Sequence, residues 1–142
     1  MIIDVSKYMD KVLEWNIEER WVRVEPGIIR DQLNQMAATN DLLFGPDTAT
    51  TSRCMIGGMI GNNSAGRQWI KYGSTRNHIL EMEVVLSDGS KMIAKPLNSK
   101  QLEEKIALPN LEGHIYREII ELLTEHKEAI LSQYPHQEIK RR

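Results

Sequence analysis

Residues 45–66 read Gly-Pro-Asp-Thr-Ala-Thr-Thr-Ser-Arg-Cys-Met-Ile-Gly-Gly-Met-Ile-Gly-Asn-Asn-Ser-Ala-Gly. Gly57 and Gly58 carry no side chain, so a flat ligand or a pyrophosphate could approach the main chain there closely. The hydroxyls of Thr48, Thr50, Thr51 and Ser52 can donate to phosphate or carbonyl oxygens. Asn62, Asn63 and Ser64 add donors and acceptors without charge. Together these residues describe a polar, neutral cradle. The same composition also suits a tight packing loop whose glycines let two strands approach, and residue types alone leave both readings open.

Familiar phosphate loops do not fit. No Gly-Lys-Ser/Thr follows, the glycines at 57, 58 and 61 do not make G-x-G-x-x-G, and no helix start is evident beside them. Asn62-Asn63-Ser64 matches the glycosylation sequon, but the N-terminus has the wrong pattern for a secretory signal, so the match reads as chance. Cys54 has no His or Cys at ligand spacing and reads as a packing residue. His114, His126 and His136 form no i, i+4 pair, so no metal is expected, and His78 reads as a solvated loop residue. Arg53 and Arg67 flank the glycines and read as exposed side chains rather than phosphate partners. Trp69 and Tyr72 suit packing as well as stacking.

The cradle must be held by flanking elements. Ile2–Val5 has strand composition, and Ser6–Asn16 has a mixed period that suggests a turn or short helix. Trp21, Val22 and Val24 form a strand ended by Pro26-Gly27. Ile29, Leu33, Met36 and Ala37 then share one helical face, with the stop near Thr39-Asn40. Residues 45–77 hold six of the nine glycines and show no steady period, so a long ordered loop is expected. Beyond it, Ile79–Leu86 contains a strand, Asp88-Gly89 a hairpin turn, and Met92–Ala94 the return strand. Asn98 and Gln101 have capping-box spacing before a helix over Leu102–Ala107. A long helix is expected from Gly113 to about Gln133, followed by a polar tail ending Lys140-Arg141-Arg142.

The whole chain has 142 residues, 41% apolar and 27% charged, with net charge -2. That balance is globular, and it gives no electrostatic footprint for nucleic acid. No apolar run approaches the roughly 20 residues that span a bilayer. A single cysteine excludes an internal disulfide framework and suggests a reducing, cytoplasmic setting.

The run PDTATTSRCMIGGMIGNNSAG, then Tyr72-Gly73-Ser74, then ILEMEVVLSDGS, resembles the FAD-binding domain of FAD-linked oxidases of the vanillyl-alcohol oxidase and p-cresol methylhydroxylase (PCMH) type. Upstream, VRVEPGIIRDQLN is similar to that family's strand–turn–helix. The resemblance covers about Ile2–Ser90 and continues more loosely through the helix after Gly113. Within the family the chain looks like bacterial FAD-dependent dehydrogenases of 2-hydroxy acids such as D-lactate, glycolate and 2-hydroxyglutarate, some of them fused to an iron–sulfur domain.

The resemblance implies FAD as cofactor. Pro46, Asp47, Thr48, Thr51 and Ser52 would lie along the flavin and its pyrophosphate. Gly57 and Gly58 would let the backbone touch it. Gly61, Asn62 and Ser64 would meet the isoalloxazine end or the linking chain, and the Ile79 main chain the adenine end. The implied fold is α+β, a small mixed or antiparallel sheet flanked by helices, matching the second subdomain of such a domain. Residues 1–95 would supply core strands, helix and cofactor loop, and residues 96–142 a helical part.

The family's pyrophosphate-gripping glycine loop, expected before Ile2–Val5, has no counterpart here. Neither do its catalytic residues, its substrate domain or its flavin-linking histidine. The expectation is therefore an FAD-binding fragment of an oxidoreductase whose parent oxidises a 2-hydroxy acid, inactive alone and without a catalytic residue of its own. Its partners would be FAD, the missing N-terminal half and the C-terminal substrate domain, with self-association through uncovered surfaces. The parent would be cytoplasmic or peripheral to a membrane. The alternative is a non-catalytic binding or interaction module built on a half FAD-binding domain.

Overall fold

A computed structural model describes residues 3–134, which are α+β and fall into two compact units that meet in sequence at His78 and Ile79. The first unit carries strands β1 (Val12–Asn16) and β2 (Trp21–Val24), helices α1 (Arg30–Ala38), α2 (Ile56–Gly61) and α3 (Trp69–Tyr72), and a 3₁₀ turn at Thr75–His78. The second carries β3 (Met82–Val85), β4 (Lys91–Ala94), α4 (Ser99–Ile106), α5 (Leu111–Glu125) and α6 (Lys127–Gln133). Each unit holds one two-stranded antiparallel sheet, so the expected small sheet is two separate hairpins.

In the first unit β1 pairs with β2 from Val12↔Val24 to Asn16↔Trp21, with a register shift between Val12 and Glu14. That irregularity places Leu13 out of step, which is why the apolar residues before Asn16 show a mixed period instead of strand alternation. The expected strand over Ile2–Val5 is not formed by Ile3–Val5, and Ile2 lies outside the described residues. The Val5 carbonyl instead accepts the Met9 N–H at 3.2 Å, closing a turn. Helix α1 buries Leu33 and Ala37 as its spacing predicts, whereas Met36 faces outward. Its exit passes Thr39 and Asn40 and uses the left-handed conformation at Asp41 (φ 55°) rather than at Asn40.

The core of this unit is Ile28, Leu33, Ile56 and Met59, with Val12, Trp15, Val22, Val24, Phe44, Cys54 and Ile60 packed against it. Burying each of the four central side chains contributes roughly 1.5–3 kcal/mol. Two of the four come from the glycine-rich stretch, which is therefore built into the core. That stretch is not a continuous loop: it forms α2, α3 and the 3₁₀ turn. A six-residue helix containing three glycines, IGGMIG, is too short and too poor in helix formers to announce itself in sequence.

In the second unit β3 and β4 pair from Met82↔Ala94 to Val85↔Lys91 across the Asp88-Gly89 turn, where Gly89 takes φ +82°. The capping box of α4 is complete: the Gln101 N–H donates to Asn98 Oδ1 at 2.9 Å, and the Asn98 N–H donates to Gln101 Oε1 at 3.0 Å. Asn110 caps α5 by accepting the Gly113 N–H at 3.1 Å. Lys105 on α4 pairs with the buried Glu112 on α5, and the Arg117 guanidinium donates to the carbonyls of Ile106 and Leu108 behind α4. The expected single helix to Gln133 breaks at His126 (φ -98°, ψ 13°). Residues 124–128, Thr-Glu-His-Lys-Glu, carry no apolar side chain that packing could use to hold the axis straight. The tail from Pro135 onward lies outside the described residues.

Candidate cofactor site

The cradle is assembled on the N-terminal end of α1. The Ile28 carbonyl accepts the Ile56 N–H at 3.0 Å, the Pro26 carbonyl accepts the Gly57 N–H at 2.8 Å, and the Cys54 carbonyl accepts the Arg30 N–H at 3.0 Å. These bonds fasten residues 54–57 along the entry to α1. One helical turn apart on α1, Arg30 and Asn34 hold the preceding segment. Arg30 Nε donates to the Pro46 carbonyl at 3.1 Å. Asn34 both donates to the Phe44 carbonyl (3.2 Å) and accepts the Phe44 N–H (2.8 Å). The sequence reading missed both side chains, although an i, i+4 polar pair on a helix beside a loop is the pattern that such anchoring leaves.

Asp47 ties the two ends of the stretch together. Its N–H donates to the Ala65 carbonyl at 3.2 Å, its Oδ1 accepts the Gln68 N–H at 3.0 Å, and it bridges Gly66 in parallel register. Gly66 sits at φ +96°, and a Cβ there would lie 1.6 Å from the Asp47 carbonyl oxygen, so only glycine closes this junction. The closure leaves an open depression of about 530 Å³ lined by Arg30, Asp47, Thr48, Ala49, Thr51, Arg67 and Gln68. Arg67, Thr51 and Gln68 supply polar groups there that suit an oxygen-rich ligand such as a phosphate ester, whereas the Arg30 guanidinium is committed to the Pro46 and Phe44 carbonyls and to Asp31, and the Thr48 hydroxyl to Cys54 Sγ. Arg67, read from sequence as merely exposed, is part of this wall.

Three of the expected site residues are glycines of α2, and they divide in a telling way. A Cβ at Gly57 would press within 2.7 Å of the Pro26 ring, so internal packing accounts for it. Gly58 and Gly61 take helical geometry and have open space around them: nothing lies within 4 Å of a Cβ at either position. Glycine inside a helix costs about 0.5–1 kcal/mol relative to alanine; at Gly58 nothing inside the fold accounts for that cost, while Gly61 is the last residue of α2, a position where glycine is well tolerated. What they create is a bare strip of exposed backbone.

Beyond α2, Ser64 Oγ donates to Asn62 Oδ1 at 2.5 Å, and the Ser64 carbonyl accepts both the N–H and the hydroxyl of the fully buried Thr75 (2.8 and 2.7 Å). Asn63, at φ 51°, accepts the Arg76 N–H. Among the expected site residues, Thr48 and Thr51 line the depression with Asp47. Pro46 is fully buried, and Ser52 is exposed at the turn that follows. Gly58, Gly61, Asn62 and Ser64 belong to α2 and its exit, and Ile79 falls in the second unit. Thr48 Oγ1 donates to Cys54 Sγ at 3.1 Å, so the cysteine packs within the loop. Tyr72 lies against Gly45, whose Cβ would meet its ring at 2.5 Å, and His78 stands edge-on to Phe44 with its Nε2 2.7 Å from the Tyr72 carbonyl. Among the described residues no group of three His, Cys, Asp or Glu could hold a metal, and no helix is long and apolar enough to cross a membrane.

A family model described as "FAD binding domain" matches residues 1–94. The chain is 37% identical over 135 residues to D-2-hydroxyglutarate dehydrogenase of Pseudomonas putida, covering 95% of this chain and 13% of that protein. It is 39% identical over 82 residues to D-2-hydroxyglutarate dehydrogenase of Stutzerimonas stutzeri (58% of this chain, 18% of that protein). It is 35% identical over 88 residues to glycolate oxidase subunit GlcD of Bacillus subtilis (62% and 19%). The chain thus spans less than a fifth of the length of the curated relatives it matches.

Proposed function

The chain belongs to the FAD binding domain family, and from that premise we propose that it forms one wall of the FAD site in a flavin-dependent oxidoreductase that oxidises a 2-hydroxy acid. The observation that carries this reading is the pair of unconstrained glycines, Gly58 and Gly61, in the unit that also holds a depression lined by Arg67, Thr48 and Thr51. A bare helical strip suits close contact with a planar ring system, and Arg67 with Thr51 suits a pyrophosphate. When bound, the flavin supplies the chemistry by accepting a hydride from the substrate carbon that bears the hydroxyl. The chain's own residues bind and orient it: Arg30 and Asn34 fix the loop, Asp47 closes it, and Gly58 and Gly61 leave room. The substrate class comes from the relatives' names, which specify 2-hydroxyglutarate and glycolate.

In this reading residues 1–95 are the flavin-facing part and residues 96–142 a helical accessory. The remainder of the flavin grip and the substrate-binding residues come from protein outside these 142 residues, in a cytoplasmic setting or at a membrane periphery. The chain alone then holds FAD loosely and turns over no 2-hydroxy acid. Quenching of FAD fluorescence by the purified chain tests this. The expected result is a Kd above about 10 μM, weakened at least tenfold by Gly58→Val. A Gly58→Val chain that binds FAD like the original would refute the assignment of the bare strip, and tight stoichiometric FAD would refute the dependence on further protein.

A further inference from the structure

Helical spacing puts Gly58, Gly61 and Asn62 on one face of α2, at i, i+3 and i+4. Two of the three carry no side chain, so the face is bare except for the exposed carboxamide of Asn62 at its end. The Asn62 N–H donates to the Gly58 carbonyl at 3.3 Å, which ties the residue to the last turn of the helix. Its Oδ1 accepts the Ser64 hydroxyl at 2.5 Å. Among the described residues Nδ2 donates to no protein group, so both of its N–H bonds are open to a ligand. A carboxamide with its oxygen engaged and its nitrogen open acts chiefly as a donor.

Ser64, which orders that carboxamide, is itself held on both sides. Its N–H donates to the Met59 carbonyl at 2.9 Å, and its carbonyl accepts the N–H and hydroxyl of Thr75 at 2.8 and 2.7 Å. Thr75 is 0% exposed and Met59 1%, so Ser64 is fastened to the buried part of the unit. Between Asn62 and Ser64 the chain turns through Asn63 at φ 51°, and the Asn63 Oδ1 accepts the Arg76 N–H at 3.1 Å. The left-handed turn brings two side chains that would diverge in a helix within bonding distance. A bare face with one fixed donor at its end discriminates between planar rings. The isoalloxazine of a flavin carries two carbonyl oxygens, whereas adenine carries no carbonyl and has an amino donor on its edge. A donor that meets a donor stays unpaired and costs binding free energy.

We propose that Asn62 Nδ2 is the specificity-determining donor of the α2 face, bonding a ring carbonyl oxygen of the flavin, and that Ser64 is the residue that positions it. The proposal rests on the reading that α2 faces the flavin. It goes beyond that reading by naming the atom that recognises the ring and the hydroxyl that aims it.

FMN and AMP are the two halves of FAD; each carries one phosphate, and their rings differ. NMR titrations of the isotope-labelled 142-residue chain with each nucleotide test the proposal, read at the Gly58 and Gly61 amides and at the Asn62 side-chain N–H resonances. FMN should shift all of them and bind at least about tenfold tighter than AMP. Asn62→Asp keeps an acceptor for Ser64 but puts a carboxylate oxygen where the donor was, and should cut that preference at least about fivefold. Ser64→Ala should cut it about threefold, and Ser64→Thr, which keeps the hydroxyl, should restore it. If FMN moves Gly58 and Gly61 while the Asn62 side chain stays unmoved, the donor assignment falls and the flavin-facing reading stands; this arm needs no variant to fold. AMP binding as tight as FMN, or a full FMN preference in Asn62→Asp, overturns the assignment in the same way. A full preference in Ser64→Ala overturns the positioning role. If neither Gly58 nor Gly61 responds to FMN, the flavin-facing reading fails and the proposal fails with it.

Discussion

Both α2 and α5 leave part of their surface uncovered, but they do so with opposite residue chemistry. On α2 the uncovered positions are Gly58 and Gly61, where side chains have been reduced to nothing. On α5 they are Ile119, Leu122 and Leu123, where side chains are large and apolar. A small rigid ligand needs room and backbone, and a glycine face gives both at the expense of helix stability. A protein partner needs apolar area to bury, and a leucine stripe provides that without strain. The difference teaches that exposure alone is not the signal: α2 exposes bare backbone at Gly58 and Gly61, and α5 exposes large apolar side chains at Ile119, Leu122 and Leu123.

The largest expected effect separates required glycines from permissive ones. Gly66→Ala drives a Cβ into the Asp47 carbonyl from a left-handed backbone, and should destabilise the chain by at least about 3 kcal/mol in urea unfolding. If it does not, Asp47 and Gly66 do not close the cradle. Next comes Arg30→Ala. It leaves the Pro46 carbonyl without its side-chain donor at a site where the arginine side chain is only 14% exposed, and should cost about 2 kcal/mol. In contrast, Gly58→Ala should raise the stability of the chain by about 0.5–1 kcal/mol while weakening FAD binding. Opposite signs for stability and binding are what a ligand-facing glycine produces; loss of both would return Gly58 to the class of Gly57.

The smallest effect concerns the hairpin. The Ser90 hydroxyl and then its N–H, both donating to Asp88 Oδ1, hold the Asp88 carboxyl below its usual range. A folded pKa below the unfolded one gives stability that is complete above the ordinary carboxylate range, near about 4, and is lost as pH falls through the lower folded value. The protection factors of the Gly89 and Ser90 amides, taken relative to intrinsic exchange at each pH, should therefore be flat from pH 8 to about 5 and should fall below about pH 4, and Asp88→Asn should remove that fall.

Sequence alone reached the elements whose signals are local. The Asp88-Gly89 hairpin, the Asn98–Gln101 capping box and the Leu33–Ala37 face each depend on residues within one turn of each other, and each forms as spacing predicts. Elements set by distant partners were hidden. The bulge beside Leu13 masked β1, and the helicity of α2 rests on bonds from Ile56 and Gly57 to Ile28 and Pro26, nearly thirty residues upstream. The break at His126 was missed because the apolar steps resume at Ile130 in nearly the same phase. Within the candidate site, residue types pointed to the glycines and threonines. Only the folded arrangement separates Gly58 and Gly61 from Gly57, and only it brings Arg30 and Arg67 to the same depression as Thr48 and Thr51.

The central proposal is that the α2 strip and the depression lined by Thr48, Thr51 and Arg67 face the flavin, and an NMR titration of the isotope-labelled chain with FAD up to millimolar concentration tests it most directly. The account predicts shifts concentrated at the amides of Gly58 and Gly61, with Thr48 and Thr51 beside them, and none along Ile119–Leu123. Shifts centred on α5, or none at all among Gly58, Gly61, Thr48 and Thr51, would contradict it.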